Sequence, residues 1–265
     1  IRDVSTWLEF RLCSSDLLMP KDFTLQFYSR THTGKIKRNN EDYLRIHQNG
    51  LLAAIADGMG GTDFGEIASQ IAVDASVEYL ASADPAKLLN KPAGELGNAV
   101  KYANEAIIAI QQNEEQYRTM GSTLTCLLMV NNQLHFSWVG DSRIYIVRPA
   151  QNNIQMLTRD HTLDRNKIDA TLAPDLYRRA PSILTQKVGS ILLIQPDTDC
   201  FELQIGDIIL ACTDGLTDRI EDELLLEYAI KFVDNLEGYA DKLLDRALDC
   251  GGQDNISLIL AQVSN

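Results

Sequence analysis

Two apolar runs joined by Asn131-Asn132 constrain the fold more than any other feature of the sequence. The first run covers Ser122 to Val130, and the second covers Gln133 to Val139. In the second run, apolar residues alternate with His135 and Ser137, which is the period of a β-strand. Two such runs separated by a two-residue asparagine turn predict a β-hairpin, and strands joined in this way form antiparallel sheets.

Stretches with helical periodicity alternate with these strand-like runs. Apolar residues recur at helical spacing from Phe64 to Tyr79, from Leu96 to Ile110 and from Leu236 to Leu248. Each stretch has one apolar face, which must pack against another layer. We therefore predict an α+β fold, in which a central antiparallel β-sandwich of two sheets is flanked by helices on both sides in an α-β-β-α arrangement.

Composition and charge exclude several classes of protein. The net charge of −13 over 265 residues disfavours nucleic-acid binding, which needs a basic surface. No apolar run is long enough to span a bilayer, so we expect no membrane segment and a cytoplasmic protein. Pro20-Lys21-Asp22 marks a predicted boundary between residues 1–22, an N-terminal arm or the remnant of a preceding segment, and one domain over residues 23–265.

Acidic residues stand where the predicted strands end. Asp57-Gly58 and Asp214-Gly215 each follow a short apolar run, Asp254 precedes the last strand, and Glu41-Asp42 precedes another. Any single Asp-Gly pair is equally well a simple turn. Several carboxylates converging without histidines favour Mg²⁺, Mn²⁺ or Ca²⁺, and two such ions could activate water and clamp a phosphate.

Eight segments of the chain carry these and further motifs, namely Gly34–Asp42, Ala56–Gly61, Gly65–Ser69, Met120–Thr125, Val139–Arg143, Leu157–Thr162, Thr213–Asp218 and Gly251–Ile256. Taken together, they resemble the metal-dependent protein phosphatases, the type 2C serine/threonine phosphatase (PPM) family, in its compact bacterial form. The resemblance runs from about Thr24 to Val263.

The resemblance implies a site for two Mn²⁺ or Mg²⁺ ions, with a third bound weakly. The implied ligands are Asp57 as the bridging carboxylate, Gly58 through its carbonyl, Asp214, Asp254, Glu41 through a water, Asp42 as nearby support, and Asp141 for the third ion. Water bridging the metals would attack phosphorus directly, which makes Asp57 and Asp214 catalytic. For Asp141, a structural role in a turn stays open.

The phosphate-binding position departs from the family pattern. The family usually has an arginine four residues before the glutamate, and here that residue is Lys37, which keeps the charge but loses the planar fork. We expect Lys37, or Arg38 if the chain is locally distorted, to bind the substrate phosphate. A plain surface role for Lys37 remains the alternative.

The segment at about residues 163–183 occupies the position of the family's flap over the cleft. It carries four basic residues, which are Arg165, Lys167, Arg178 and Arg179. These side chains either contact phosphorylated substrates or belong to a solvated loop.

The resemblance implies an enzyme that hydrolyses phosphoserine and phosphothreonine in proteins and opposes a bacterial-type Ser/Thr kinase in signalling. We expect it to act as a monomer. Two alternatives stay open, namely a pseudo-phosphatase that binds partners without turnover, and a phosphatase of small phosphate esters.

Overall fold

The computed structural model describes residues 6–10 (backbone only), 23–48, 50–59 and 64–264. Its strands are β1 Thr6–Phe10, β2 Thr24–His32, β3 Asp42–Ile46, β4 Leu52–Met59, β5 Gly121–Ser122, β6 Leu124–Val130, β7 Gln133–Val139, β8 Arg143–Arg148, β9 Asn153–Met156, β10 Asp197–Glu202, β11 Ile208–Cys212 and β12 Ile256–Ser264. Its helices are α1 Gly65–Ser82, α2 Pro85–Asn90, α3 Pro92–Asn113, α4 Pro174–Arg179, α5 Asp214–Thr217, α6 Asp222–Lys231 and α7 Leu236–Asp249.

The strands form two antiparallel sheets. The first has the order β1-β2-β12-β11-β8-β9, and the second has the order β10-β7-β6-β4-β3 with the short β5 beside β4. Strand β1 lies within the segment predicted as an arm, and it pairs with β2 at the edge of the first sheet. The remainder of residues 1–22 lies outside the described residues, so the arm itself stays a prediction.

Three apolar layers hold the two sheets and their helices together. Between the sheets, buried side chains from both of them, such as Phe136 and Ile259, form one apolar cluster. The other face of the second sheet packs against α1 and α3, through Val73 and Val100 for example. The other face of the first sheet packs against the C-terminal helices, with Leu243 at the contact. The predicted α-β-β-α arrangement is therefore confirmed.

The predicted hairpin is the connection between β6 and β7. Asn131 and Asn132 both have positive φ, 51° and 63°, which matches the twist of a two-residue hairpin turn. Leu134 and Phe136 face the other sheet, as their alternation predicted. His135 and Ser137, on the opposite face, are buried as well, because β7 also packs against a helix on that side. No helix in the described part of the chain is long and apolar enough to cross a membrane.

Candidate active site

A pocket of about 500 Å³ opens at the end of the sandwich where β4 and β11 finish and β3 and β12 begin. Antiparallel pairing joins β3 to β4 in one sheet and β11 to β12 in the other, and the packing of the two sheets brings the two pairs of strand ends together. The residues that line it are Lys37, Glu41, Asp57, Gly58, Met59, Asp141, Ser182, Ile183, Leu184, Lys187, Asp214 and Asp254. Five of the predicted acidic residues thus meet in one place.

Three hydrogen bonds hold the backbone of Asp57. Its N–H donates to Thr123 Oγ1 at 2.8 Å, and its carbonyl accepts from Ser122 Oγ at 2.8 Å and from Thr123 N at 2.9 Å. Thr123 Oγ1 also lies 2.8 Å from the hydroxyl of Ser142, the neighbour of Asp141. The Met120–Thr125 motif therefore positions two pocket carboxylates, a role that its sequence alone did not indicate.

Asp42 lies beneath the pocket and does not line it. It is opposite Asp57 in the β3–β4 register and is only 6% exposed. Its Oδ2 accepts from Thr213 Oγ1 at 2.9 Å, so a hydrogen bond joins the two sheets directly below Asp214. This position is compatible with the predicted supporting role, which stays a prediction.

Asn255 ties the loop that carries Lys37 and Glu41 to the start of β12. Its Oδ1 accepts from the Glu41 N–H at 2.8 Å, and its Nδ2 donates to the carbonyls of Thr33 and Asn39 at 2.9 Å each. The side chain is buried. Its place directly after Asp254 in a glycine-rich motif was the only sequence signal for this positioning role.

Gly58 permits an approach that no other residue would allow. A Cβ atom at this position would lie 2.0 Å from the carbonyl oxygen of Gly65 and 2.6 Å from that of Glu41. The Gly58 N–H also donates to the Glu41 carbonyl at 3.0 Å. Because glycine lacks a side chain, β4 can end against both the β3 loop and the start of α1.

Burial and mutual repulsion raise the carboxylate pKa values. Burial, followed by the negative charges of Asp42, Asp214 and Asp254, raises the pKa of Asp57 well above its usual value. Burial is also the largest cause at the other acids, and it raises the pKa of Asp42 and of Asp141 to about 7 and that of Asp214 to about 6. A cluster of this kind is unfavourable without compensating positive charge.

Lys37 supplies part of that compensation. Its Nζ lies 2.6 Å from Asp254 Oδ1, in an ion pair whose side chains are 39% and 41% exposed. Burial opposes the charged form of Lys37, but the hydrogen bond to Asp254 and the charges of Asp57 and Glu41 raise its pKa. Arg38 is exposed and is absent from the described pocket lining.

The oxygen atoms of the pocket are suitable ligands for a hard divalent cation. The pocket offers carboxylates and the Gly58 carbonyl, and Asp42 Oδ1 and Asp214 Oδ1 are buried without a hydrogen-bond partner. Mn²⁺ and Mg²⁺ prefer oxygen ligands, and buried carboxylate oxygens without a hydrogen bond are free to bind such an ion. Within the described residues, no three acidic, histidine or cysteine side chains are grouped closely enough to hold an ion as they stand.

The predicted flap borders the pocket with its last residues. Leu163 N–H donates to the Ile183 carbonyl at 3.0 Å, which closes the base of the segment, and Ser182, Ile183 and Leu184 reach the pocket. Arg165 lies over the ring of Tyr177, and Arg178 pairs with Asp175. The four basic residues of this segment are absent from the described lining, so the solvated-loop interpretation fits this arrangement better.

The chain is thus a helix-covered sandwich of two antiparallel sheets with an acidic pocket at one end. The family model described as Protein phosphatase 2C matches residues 30–250. The chain belongs to the protein phosphatase 2C family.

Two relatives and one solved structure show how far the similarity extends. The serine/threonine protein phosphatase PstP of Mycobacterium tuberculosis is 34% identical over 242 residues, which cover 90% of this chain and 45% of PstP. The protein phosphatase PhpP of Streptococcus pneumoniae is 32% identical over 241 residues, or 88% of this chain and 96% of PhpP. The crystal structure of the PstP catalytic domain in complex with 2 manganese ions superposes with a TM-score of 0.76 and 30% identity, covering 92% of this chain and 100% of that one. The chain thus spans about half the length of PstP.

Proposed function

We propose that this chain is a phosphatase catalytic domain that hydrolyses phosphoserine and phosphothreonine in proteins with the help of two Mn²⁺ or Mg²⁺ ions. The observation that carries the proposal is the convergence of Glu41, Asp57, Asp141, Asp214 and Asp254 on one pocket. The names of PstP and PhpP and the manganese ions of the PstP structure support it.

Each acidic residue has its own place in the proposed site. We assign Asp57, Asp214 and Asp254 as metal ligands, together with the Gly58 carbonyl. We assign supporting roles to the remaining acids, which are Glu41, Asp42 and Asp141, the last for a weak third ion. When bound, the ions supply Lewis acidity, which lowers the pKa of water and neutralises charge on the phosphate. The hydrogen bonds around Asp57 hold its carboxylate in place, and Lys37 binds the phosphate as a point charge.

The cellular setting is also part of the proposal. We infer a cytoplasmic enzyme that acts as a monomer in signalling and opposes a Ser/Thr kinase. The predicted domain limits, residues 23–265 with a flap at about 163–183, belong to the proposal too, and the family match over residues 30–250 lies within them. The net charge of −13 supports substrates other than nucleic acids.

Turnover by the wild-type chain tests the proposal. Phosphate release from a phosphothreonine peptide and from p-nitrophenyl phosphate would be followed in Mn²⁺, in Mg²⁺ and in EDTA. We expect metal-dependent turnover of both substrates, abolished by EDTA, with the higher kcat/KM for the peptide. If calorimetry detects metal binding but neither substrate is turned over, the chain would instead be a pseudo-phosphatase. Turnover of p-nitrophenyl phosphate alone would indicate an enzyme of small esters.

The two candidate phosphate-binding residues can be separated by substitution. We predict that Lys37→Ala raises KM for the phosphothreonine peptide by at least about tenfold, because a charge-assisted hydrogen bond is worth about 1.5–3 kcal/mol. Arg38→Ala, the control, is expected to leave KM within about twofold, since Arg38 is exposed and outside the described lining. Equal or reversed effects in steady-state kinetics would show that Lys37 does not bind the phosphate.

A further inference from the structure

Lys187 lines the pocket but was absent from the sequence-based site. It belongs to the segment that follows the flap, and it is partly buried. Among the described lining residues, the positively charged side chains are Lys37 and Lys187. The two lysines differ in their ion pairing. Lys37 is paired with Asp254, whereas Lys187 has no ion pair within the described part of the chain.

The backbone next to Lys187 is bonded directly to the segment that positions Asp57. Ser122 and Val188 form an antiparallel bridge, with N–H to carbonyl distances of 3.1 and 2.9 Å. The hydroxyl of the same Ser122 donates to the Asp57 carbonyl at 2.8 Å. The backbone beside Lys187 is therefore linked to the Asp57 carbonyl by a short path of hydrogen bonds, the last of which comes from the Ser122 side chain.

Helix α3 fixes the residues that follow. The buried Asn104 accepts through Oδ1 from the N–H groups of Gly189 and Ser190, at 2.8 and 3.0 Å. The buried Gln111 donates through Nε2 to the Gly189 carbonyl at 2.9 Å and to the Met120 carbonyl at 2.7 Å. Both buried polar side chains thus anchor the strand-like segment that presents Lys187.

The stem of Lys187 lies over Gly121. A Cβ atom at position 121 would be 3.0 Å from Lys187 Cδ and 3.1 Å from Lys187 Cε, so glycine leaves room for the stem. Contact along the stem restricts the side chain before any ligand arrives, which lowers the entropic cost of binding. Burial lowers the pKa of Lys187, since no described carboxylate offsets its charge.

We propose that Lys187 binds the phosphate of the substrate, a phosphate monoester dianion, as a second cationic contact alongside Lys37. The inference rests on the proposed phosphatase function and deepens it. A partly desolvated ammonium group without a counterion attracts an anion more strongly than one already paired. The pocket carboxylates repel the phosphate, and the charge of Lys37 is partly offset by Asp254, so Lys187 supplies the uncompensated positive charge.

Three lysine variants test this role. Lys187→Met keeps the stem and removes the charge, Lys187→Arg keeps the charge, and Lys101→Met is the matched control on the exposed side of α3. We expect Lys187→Met to raise KM for the phosphothreonine peptide and the inhibition constant of inorganic phosphate by about tenfold each. Lys187→Arg is expected to recover most of the loss, and Lys101→Met to match the wild type. The Mn²⁺ concentration that gives half of the maximal increase in melting temperature should be the same for each variant as for the wild type.

Two results would overturn the proposal. One is an unchanged KM and phosphate inhibition constant in Lys187→Met, and the other is a parallel loss of Mn²⁺ binding, which would indicate a structural role. If Lys187→Met fails to fold, Lys187→Gln takes its place.

Should the wild type show no turnover, the phosphatase function fails separately. Calorimetric titration of inorganic phosphate into the Mn²⁺-loaded wild type and into Mn²⁺-loaded Lys187→Met then tests phosphate binding by Lys187. Equal affinity in the two proteins, or no binding to either, would refute the proposed role of Lys187.

Discussion

Asp57→Asn is expected to lower kcat in saturating Mn²⁺ by at least about a thousandfold. In the proposed site, Asp57 would be a ligand of the metal ions, so its loss would weaken their binding. Metal ions contribute several kcal/mol to transition-state stabilisation in such enzymes, and each ~1.4 kcal/mol corresponds to about tenfold in rate. Steady-state assays with the phosphothreonine peptide measure the effect.

The same substitution should stabilise the metal-free protein. Burial and the charges of Asp42, Asp214 and Asp254 raise the pKa of Asp57, which means that its ionised form is unfavourable in the folded state. Asparagine is nearly the same shape without the charge, so unfolding in EDTA should need more urea, and the gain should grow with pH. Asp234→Asn, at an exposed position, is the control. Near wild-type kcat in Asp57→Asn would refute the assigned role.

Removal of metal is expected to reverse how stability depends on pH. In the folded chain the pKa of Asp42 and of Asp141 is about 7 and that of Asp214 is about 6, compared with about 3.9 in an unfolded chain. The folded state therefore binds these protons more tightly. Their stabilising contribution is complete below about pH 4 and is lost as the pH rises to about 7. In EDTA, the free energy of unfolding should fall across this range.

Saturating Mn²⁺ should give the opposite slope. Metal binding requires the ionised carboxylates, so each proton that leaves makes the bound state more favourable. Urea unfolding at several pH values between about 5 and 8, with EDTA or with Mn²⁺, provides the comparison. Asp214→Asn removes one of the titrating groups and should flatten the EDTA curve. Stability in EDTA that stays constant or increases with pH would contradict the expected repulsion among the buried acids.

The strand ends were predictable because their signals are local. An apolar run of strand length that stops at Asp57-Gly58 or at Asp214-Gly215 needs only neighbouring residues to be recognised. The hairpin at Asn131-Asn132 is equally local, because positive φ at two consecutive residues depends on residue type. Family motifs in a constant order then connected these local features into one fold.

Other features depended on contacts between distant parts of the chain. Asn255 is one polar residue among many in the sequence, and its role follows from three hydrogen bonds to the loop before β3. The pairing of Lys37 with Asp254 joins two motifs that lie near opposite ends of the sequence. The hydrophobic periodicity of the sequence indicates neither that Asp254 is the partner of Lys37 nor how far apart the two side chains lie.

The sequence by itself determined the sandwich, the family and the acidic residues that stand at strand ends, since these follow from local periodicity and motif order. Tertiary structure alone decided that Asp42 lies below the pocket, that Arg38 is outside its described lining, and that Lys187 is within it. The physical reason is that β-pairing and side-chain hydrogen bonds act across the folded chain. A bridge such as Ser122 to Val188 helps to bring Lys187 to the pocket that Asp57 lines, without leaving a pattern in the residues around it.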